Sequence, residues 1–232
     1  MTSAAPATDL AWLRAGTSVL LDAVDDMPDD QLRQRCSLPQ WTRRHLVAHL
    51  IGNAQALSRL ASWAATGVAT PMYPDARARN DEIEERARYS ADRLRHDLHD
   101  SAAALEQRLA RLGPAQWQRQ VRTAQGRTVA ATEIPWLRIR EVWIHAADLD
   151  TGITFSDIPI PLLERLVEDV MAQRSRRGID PPFAVELPDG QRWSLGDHPV
   201  ATVTGPAAVV AAWLTGRGAA PHPEAPILSR WL

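Results

Sequence analysis

Four long stretches in the first two thirds of the chain repeat apolar residues at intervals of three and four, the spacing of a helix with one buried face. Thr42 can cap the second stretch, Gly67 follows its end, and Ser90 opens the third. Thr132 with Pro135 begins the fourth. We predict these helices over residues 8–26, 42–65, 90–112 and 132–152.

Two connections between these helices have their own signals. The segment PMYPDARARN, residues 71–80, contains two prolines and is predicted to be a connecting loop. The segment RQVRTAQGRTVAA has β-branched residues on both sides of Gly126 and predicts a small hairpin.

The pattern changes after residue 153. One helix is predicted over residues 160–177, and FAVELPDGQRWSL follows as two strand-like runs around the turn signal Asp189-Gly190. ATVTGP then indicates a strand that leads into the helix AAVVAAWL. We therefore expect an α+β protein, with a four-helix bundle over residues 1–152 and a smaller mixed α/β domain over residues 153–232.

Composition narrows the possible partners and the compartment. The chain has 232 residues, a formal net charge of -2 and 45% hydrophobic residues, which is ordinary for a soluble domain and favours neither nucleic acid nor a membrane surface. Its single cysteine, Cys36, fits a reducing cytoplasm. The first residues show neither a basic segment nor an apolar core, so we expect no secretory signal.

The stretch REVWIHAADLDTG, residues 140–152, contains three acids and one histidine in a helix that is otherwise largely apolar. Glu141, His145 and Asp148 are four and three residues apart, so they lie on one helical face. In WTRRHLVAHL, on the second helix, His45 and His49 share a face in the same way. Facing helices of a bundle can combine such residues into a metal site, because imidazoles and a carboxylate are ligands that Zn²⁺ accepts.

Spacing alone leaves other interpretations open. Each histidine could be an ordinary core or interface residue, since pairs four apart are common by chance. Glu141 could pair with Arg138 or Arg140 at a wet surface, although a glutamate in so apolar a stretch usually has a partner or a cation.

Five segments together resemble the mycothiol-dependent maleylpyruvate isomerases, a branch of the DinB-like metal-binding four-helix proteins. They extend from residue 41 to residue 218 and so cover both predicted domains. The segments are WTRRHLVAHL, TPMYPDARARN, TAQGRTVAATE, REVWIHAADL and LTGRG.

The resemblance implies a zinc ion, or another divalent metal, bound by His49, Glu141 and His145, with His45 as a neighbour. It also implies mycothiol as the thiol cofactor, since Cys36 lies outside the matching segments. The expected reaction is the conversion of maleylpyruvate to fumarylpyruvate in the gentisate route of aromatic breakdown, by thiolate addition, bond rotation and elimination. A mycothiol S-transferase on the same scaffold and a non-catalytic metal-binding or small-ligand module are the alternatives.

A dianionic substrate requires cationic partners near the metal. Arg79, in the matching loop, is the first candidate, and Arg138, one turn before Glu141, is a weaker one. The alternative for both arginines is an ordinary surface position, as for most arginines of such a chain. Asn53 is expected to hydrogen-bond cofactor or substrate, and an equal alternative is that it only hydrogen-bonds other groups in the protein core.

Asp148 and Arg217 are hypothesised to meet across the domain interface and to fix the second domain over the zinc pocket. A C-terminal helix position facing the macrodipole is the simpler explanation of Arg217. The expected partners are thus a small anionic substrate and a low-molecular-weight thiol. The protein itself is expected to be a monomer or weak oligomer.

Overall fold

The structure, a computed structural model, describes residues 6–231, and the chain forms two compact units that meet in sequence between Thr151 and Gly152. The first unit is helical apart from one hairpin, which joins β1 (Gln120–Arg122) to β2 (Thr128–Ala130) around Gly126 as predicted. Its helices are α1 Ala7–Asp25, α2 Arg43–Thr66, α3 Ala76–Arg86, α4 Ala91–Ala110, α5 Pro114–Trp117 and α6 Glu133–Asp148.

Helices α1, α2, α4 and α6 are the four predicted long helices, and they form the bundle. Helix α2 packs mainly against α4, and α1 packs mainly against α6. Between α2 and α6, His49 faces Glu141 while Asn53 faces Arg138, so these two helices are antiparallel. The same opposite order of contacts joins α1 to α4, which makes the α1–α4 pair antiparallel as well.

A glycine sets the close approach of α1 and α6. A Cβ at Gly16 would lie 2.5 Å from Nε1 of Trp143, so only hydrogen fits between the helix and the indole. The same Nε1 donates a hydrogen bond to the carbonyl of Trp12 at 3.2 Å. This contact places α6, the helix with the Glu-His-Asp face, firmly in the bundle.

Two predicted boundaries are wrong. Residues 71–80 are not all loop, because α3 begins at Ala76, where the carboxylate of Asp75 accepts a hydrogen bond from the backbone of Ala78. Helix α3 was missed because it carries almost no apolar stripe, and Ile83 is its one buried residue. The fourth helix ends at Asp148 and not at Gly152, because Asp150 has a φ of 56° and leaves the helical conformation first.

The second unit contains the elements expected after residue 153. They are α7 Ile160–Arg177, β3 Phe183–Glu186, β4 Arg192–Leu195, β5 Thr202–Thr204 and α8 Ala207–Leu214. Strand β3 lies at the centre of the sheet, antiparallel to β4 and parallel to β5. Within residues 6–231 no helix combines the length and apolar content needed to cross a membrane.

Arg174 is the polar anchor of this second unit. Its guanidinium is 1% exposed and lies 2.6 Å from the buried carboxylate of Asp180. It also donates to the carbonyl of Leu214 at the end of α8 and to that of Ser229 near the C-terminus. One buried cation thus joins α7, α8 and the C-terminal segment.

Candidate metal centre

Three side chains of α2 and α6 converge on one point. The Nε2 atom of His49 lies 2.8 Å from Oε2 of Glu141, and Nε2 of His145 lies 3.3 Å from the same oxygen. One ligand atom from each of the three residues lies within 4.8 Å of the other two. The antiparallel packing of the helices produces this convergence, since the two members of α6 are one turn apart and His49 approaches from α2.

The carboxylate at the centre is ionised. Burial by itself raises the pKa of Glu141, but hydrogen bonds from His145 and His49 outweigh this effect and hold the pKa well below its usual value. A quarter of the Glu141 side chain remains exposed, whereas the His49 side chain is 7% exposed. The cluster therefore opens to solvent on its carboxylate side.

The two imidazoles differ in their environments. Burial lowers the pKa of His49, which leaves this ring neutral at pH 7. Burial also lowers the pKa of His145, but hydrogen bonds to Asp148 and Glu141 outweigh it and raise the pKa above its usual value. Asp148, which is 1% exposed, accepts from Nδ1 of His145 at 2.8 Å and so directs Nε2 towards Glu141.

The donor set and its spacing fit a tetrahedral cation. Zinc lies about 2.0–2.1 Å from nitrogen and oxygen ligands, so two ligands at a tetrahedral angle are roughly 3.4 Å apart. The separations of 2.8 and 3.3 Å between the imidazole nitrogens and Glu141 are close to that value. Two imidazoles and one carboxylate also match catalytic zinc sites, which keep a fourth position for water or substrate.

Arg79 reaches this cluster from α3. Its Nη2 lies 3.2 Å from Nδ1 of His49, on the opposite edge of the ring from Glu141. Asn53 and Arg138, expected to contact cofactor or substrate, instead bond to each other at 2.8 Å, and Arg138 also donates to the carbonyl of Leu50. Their predicted cofactor contacts stay predictions.

His45 and Cys36 have local roles. His45 completes a capping box at the start of α2, where its Nδ1 accepts from the backbone N–H of Thr42 at 3.2 Å. Its Nε2 faces Glu84 at 3.6 Å. Burial raises the pKa of the Cys36 thiol, which makes it a poor source of thiolate.

The predicted meeting of Asp148 with Arg217 stays a prediction. Within its own unit Arg217 donates to the carbonyl of Thr215 at 2.7 Å, and its guanidinium lies 5.8 Å from the centre of the Trp231 ring. In the first unit, the carboxylate of Asp148 bonds to Nδ1 of His145.

Two aromatic residues beside the cluster were not anticipated. The ring of Trp41 lies 5.6 Å from that of His49, and the hydroxyl of Tyr73 lies near Gly52 on the following turn of α2. Burial raises the pKa of Tyr73, so its phenol is protonated and can donate. Neither residue has a sequence signal that separates it from ordinary core aromatics, although Trp41 lies in the matching segment WTRRHLVAHL and Tyr73 in TPMYPDARARN.

The comparisons with known proteins identify the family and the fold. A family model described as the mycothiol maleylpyruvate isomerase N-terminal domain matches residues 13–150. The crystal structure of a mycothiol-dependent maleylpyruvate isomerase is 35% identical to this chain with a TM-score of 0.90, and the match covers 97% of this chain and 96% of that one. A histidine-to-alanine variant of such an enzyme matches with the same identity and coverage and a TM-score of 0.89.

No curated protein matches the chain. The structural likeness extends over nearly the whole chain, and it confirms the predicted fold class and the family resemblance.

Replacing Asp148 by asparagine should weaken metal binding about 10–100-fold, because the carboxylate that fixes the Nδ1–H tautomer of His145 is lost. Competition with a chromophoric chelator measures the affinity for Zn²⁺. Asp150→Asn, at an exposed position two residues away, is the matched control and should bind as the wild type does. Equal zinc affinity of the two folded variants would contradict this role of Asp148.

Proposed function

Because the chain belongs to the mycothiol-dependent maleylpyruvate isomerase family, we propose that it isomerises maleylpyruvate to fumarylpyruvate with mycothiol as its thiol cofactor. The observation that carries this proposal is the 35% identity to such an enzyme over 97% of the chain. The cluster of His49, Glu141 and His145 supports it independently, because its three ligand atoms lie close enough to hold one cation and the Glu141 side chain is partly exposed.

The reaction needs a nucleophile that the chain itself does not provide. Maleylpyruvate has a cis double bond conjugated to carbonyl groups, and rotation about a double bond is slow. Addition of a thiolate leaves a single bond that rotates freely, and elimination then returns the trans product and the thiol. A divalent cation at the three ligands, zinc by the chemistry of the donor set, would keep the thiol of mycothiol deprotonated near neutral pH.

The residues of the chain prepare this chemistry. His49 is buried and neutral, as a metal ligand must be, and Glu141 is ionised before any cation binds. Asp148 orients His145 and leaves Nε2 for coordination. Most residues of α6 around the cluster are buried and apolar, so the partly exposed side chain of Glu141 marks the side from which substrate would approach.

Arg79 is our candidate for gripping a substrate carboxylate. Its guanidinium lies 3.2 Å from Nδ1 of His49. When Nε2 of His49 coordinates a cation, Nδ1 carries the ring hydrogen, so both groups are donors that face each other. Such a pair needs an acceptor, and a substrate carboxylate supplies two oxygens in the geometry that a guanidinium binds best.

We further propose a cytoplasmic location, because a thiol cofactor and a single half-buried cysteine both fit a reducing compartment. A small anionic substrate and the low-molecular-weight thiol would be the partners of a monomer or weak oligomer. Closure of residues 153–232 over the site remains part of the proposal.

The direct test is ultraviolet spectroscopy of maleylpyruvate with the metal-loaded protein, with and without mycothiol. We expect isomerisation with the thiol, and a rate no higher than the spontaneous one without it. Cys36→Ser should keep the wild-type rate, since burial makes this thiol a poor nucleophile. A stable conjugate in place of fumarylpyruvate would identify a transferase, and no reaction at all would leave a binding protein; either result rejects the proposed isomerase.

Arg79→Gln should lower kcat/KM about 10–100-fold, mainly through KM, because a charge-assisted contact with the substrate is lost. Steady-state kinetics with zinc content checked in parallel measures the effect. Arg77→Gln is the matched control, since Arg77 lies on the same helix with its side chain 89% exposed. Similar kinetics for both variants would remove Arg79 from the substrate site.

A further inference from the structure

A cavity in the first unit shares no lining residue with the His-Glu-His cluster. It occupies the gap between α1 and α4 and has a volume of about 290 Å³, near the lower end of the ligand-site range of roughly 300 Å³ upward. Its walls are mainly apolar, with leucines and alanines from both helices. They include Leu10, Leu13, Leu21, Ala102 and Leu105.

The one residue that α6 contributes to this lining is Arg138. Its side chain is 1% exposed, and its two hydrogen bonds from Nη1 go to a carbonyl and an amide oxygen, neither of which carries charge. Its Nη2 is buried and has no hydrogen-bond partner. Burial lowers the pKa of Arg138 to about 10, which leaves it cationic at neutral pH.

A buried guanidinium without a carboxylate in direct contact is costly, because its hydration is lost and the attraction of Glu141, one turn away, replaces it only in part. Among residues 6–231 no acid forms an ion pair with Arg138. Glu141, one turn away on the same helix, is directed to the two imidazoles. The cation that lines the cavity therefore has no carboxylate in direct contact.

The mouth of the cavity has a different character. Arg14 and Glu106 form an ion pair at 2.6 Å, and both side chains are more than half exposed. His99 lies on the same rim and bonds to Asp25 at 2.8 Å. The cavity thus has charged groups at its entrance, mainly apolar walls and a cation without an ion-pair partner inside. A molecule with an apolar body and one acidic end fits such a site.

We propose that the cavity between α1 and α4 binds a monocarboxylate with an apolar body, whose carboxylate accepts hydrogen bonds from Arg138. The His49–Glu141–His145 cluster does not line this cavity, so the site is distinct from the proposed reaction centre. Binding here requires neither metal nor mycothiol.

Isothermal titration of the full chain with octanoate, below its micelle concentration, tests the site. We expect one octanoate per chain, at least tenfold tighter than 1-octanol, because only the acid pairs with the cation. Acetate should bind at least tenfold more weakly than octanoate, because it lacks the apolar body. Equal binding of acetate and octanoate, or no binding of octanoate to the folded protein, would overturn the proposal.

Two variants locate the bound acid. Arg138→Met should reduce octanoate affinity to that of octanol, and Ala102→Phe should block the cavity while leaving Arg138 in place. Ala104→Phe, at an exposed position of α4 outside this lining, is the matched control and should bind normally. Normal octanoate binding by both Arg138→Met and Ala102→Phe would place the acid elsewhere and reject the assignment.

His49→Ala separates this inference from the proposed function. It removes a proposed metal ligand and should leave octanoate binding unchanged, since His49 does not line the cavity. Loss of octanoate binding in a folded His49→Ala protein would show that the acid occupies the reaction centre, contrary to the proposal.

Discussion

The functional unit depends on a carboxylate held between two imidazoles inside a helical bundle. Glu141 projects from a helix whose neighbouring residues are largely buried and apolar, and an ionised group there needs opposite charge or strong donors. The antiparallel packing of α2 against α6 supplies His49 on one side, and the helical repeat supplies His145 on the other. The arrangement that stabilises the carboxylate is also the arrangement that a tetrahedral cation needs.

The groups around this unit determine which atoms face a cation. Asp148 accepts the Nδ1 hydrogen of His145, and Arg79 lies at the Nδ1 edge of His49, so each imidazole has its outer nitrogen engaged and its inner nitrogen directed to Glu141. These two partners carry opposite charges, however. Asp148 is compatible with coordination at Nε2 of its ring, whereas Arg79 then needs a new acceptor. This asymmetry is the basis for the proposed contact between Arg79 and a substrate carboxylate.

Much of this architecture follows from the sequence. The four long helices, both hairpins and the α7 helix follow from apolar periodicity and turn signals, because tertiary packing agrees with the local pattern in each case. The sequence pattern did not predict helix α3, because Ile83 is its one buried residue and its position is fixed by contact with α2. The distance from Arg79 to His49 depends on that helix, so no pattern within the segment could supply it.

The choice between two histidines shows the same limit. His45 and His49 share a helical face, and spacing gives both the same prospect of facing α6. His45 occupies the third position of the helix, where its ring accepts a hydrogen bond from the backbone of Thr42 and completes the N-terminal cap. The threonine three residues before His45 was therefore the available sequence signal for this capping role. The family resemblance selected His49, and the geometry agrees, since His49 and not His45 contacts Glu141.

Metal analysis of the purified protein tests the central claim most directly. After dialysis against excess Zn²⁺ and removal of free ion, elemental analysis should find one zinc per chain in the wild type and in His45→Ala. It should find almost none in His49→Ala or His145→Ala, with folding confirmed by circular dichroism. Full zinc content in folded His49→Ala and His145→Ala, or none in the wild type, would contradict the account.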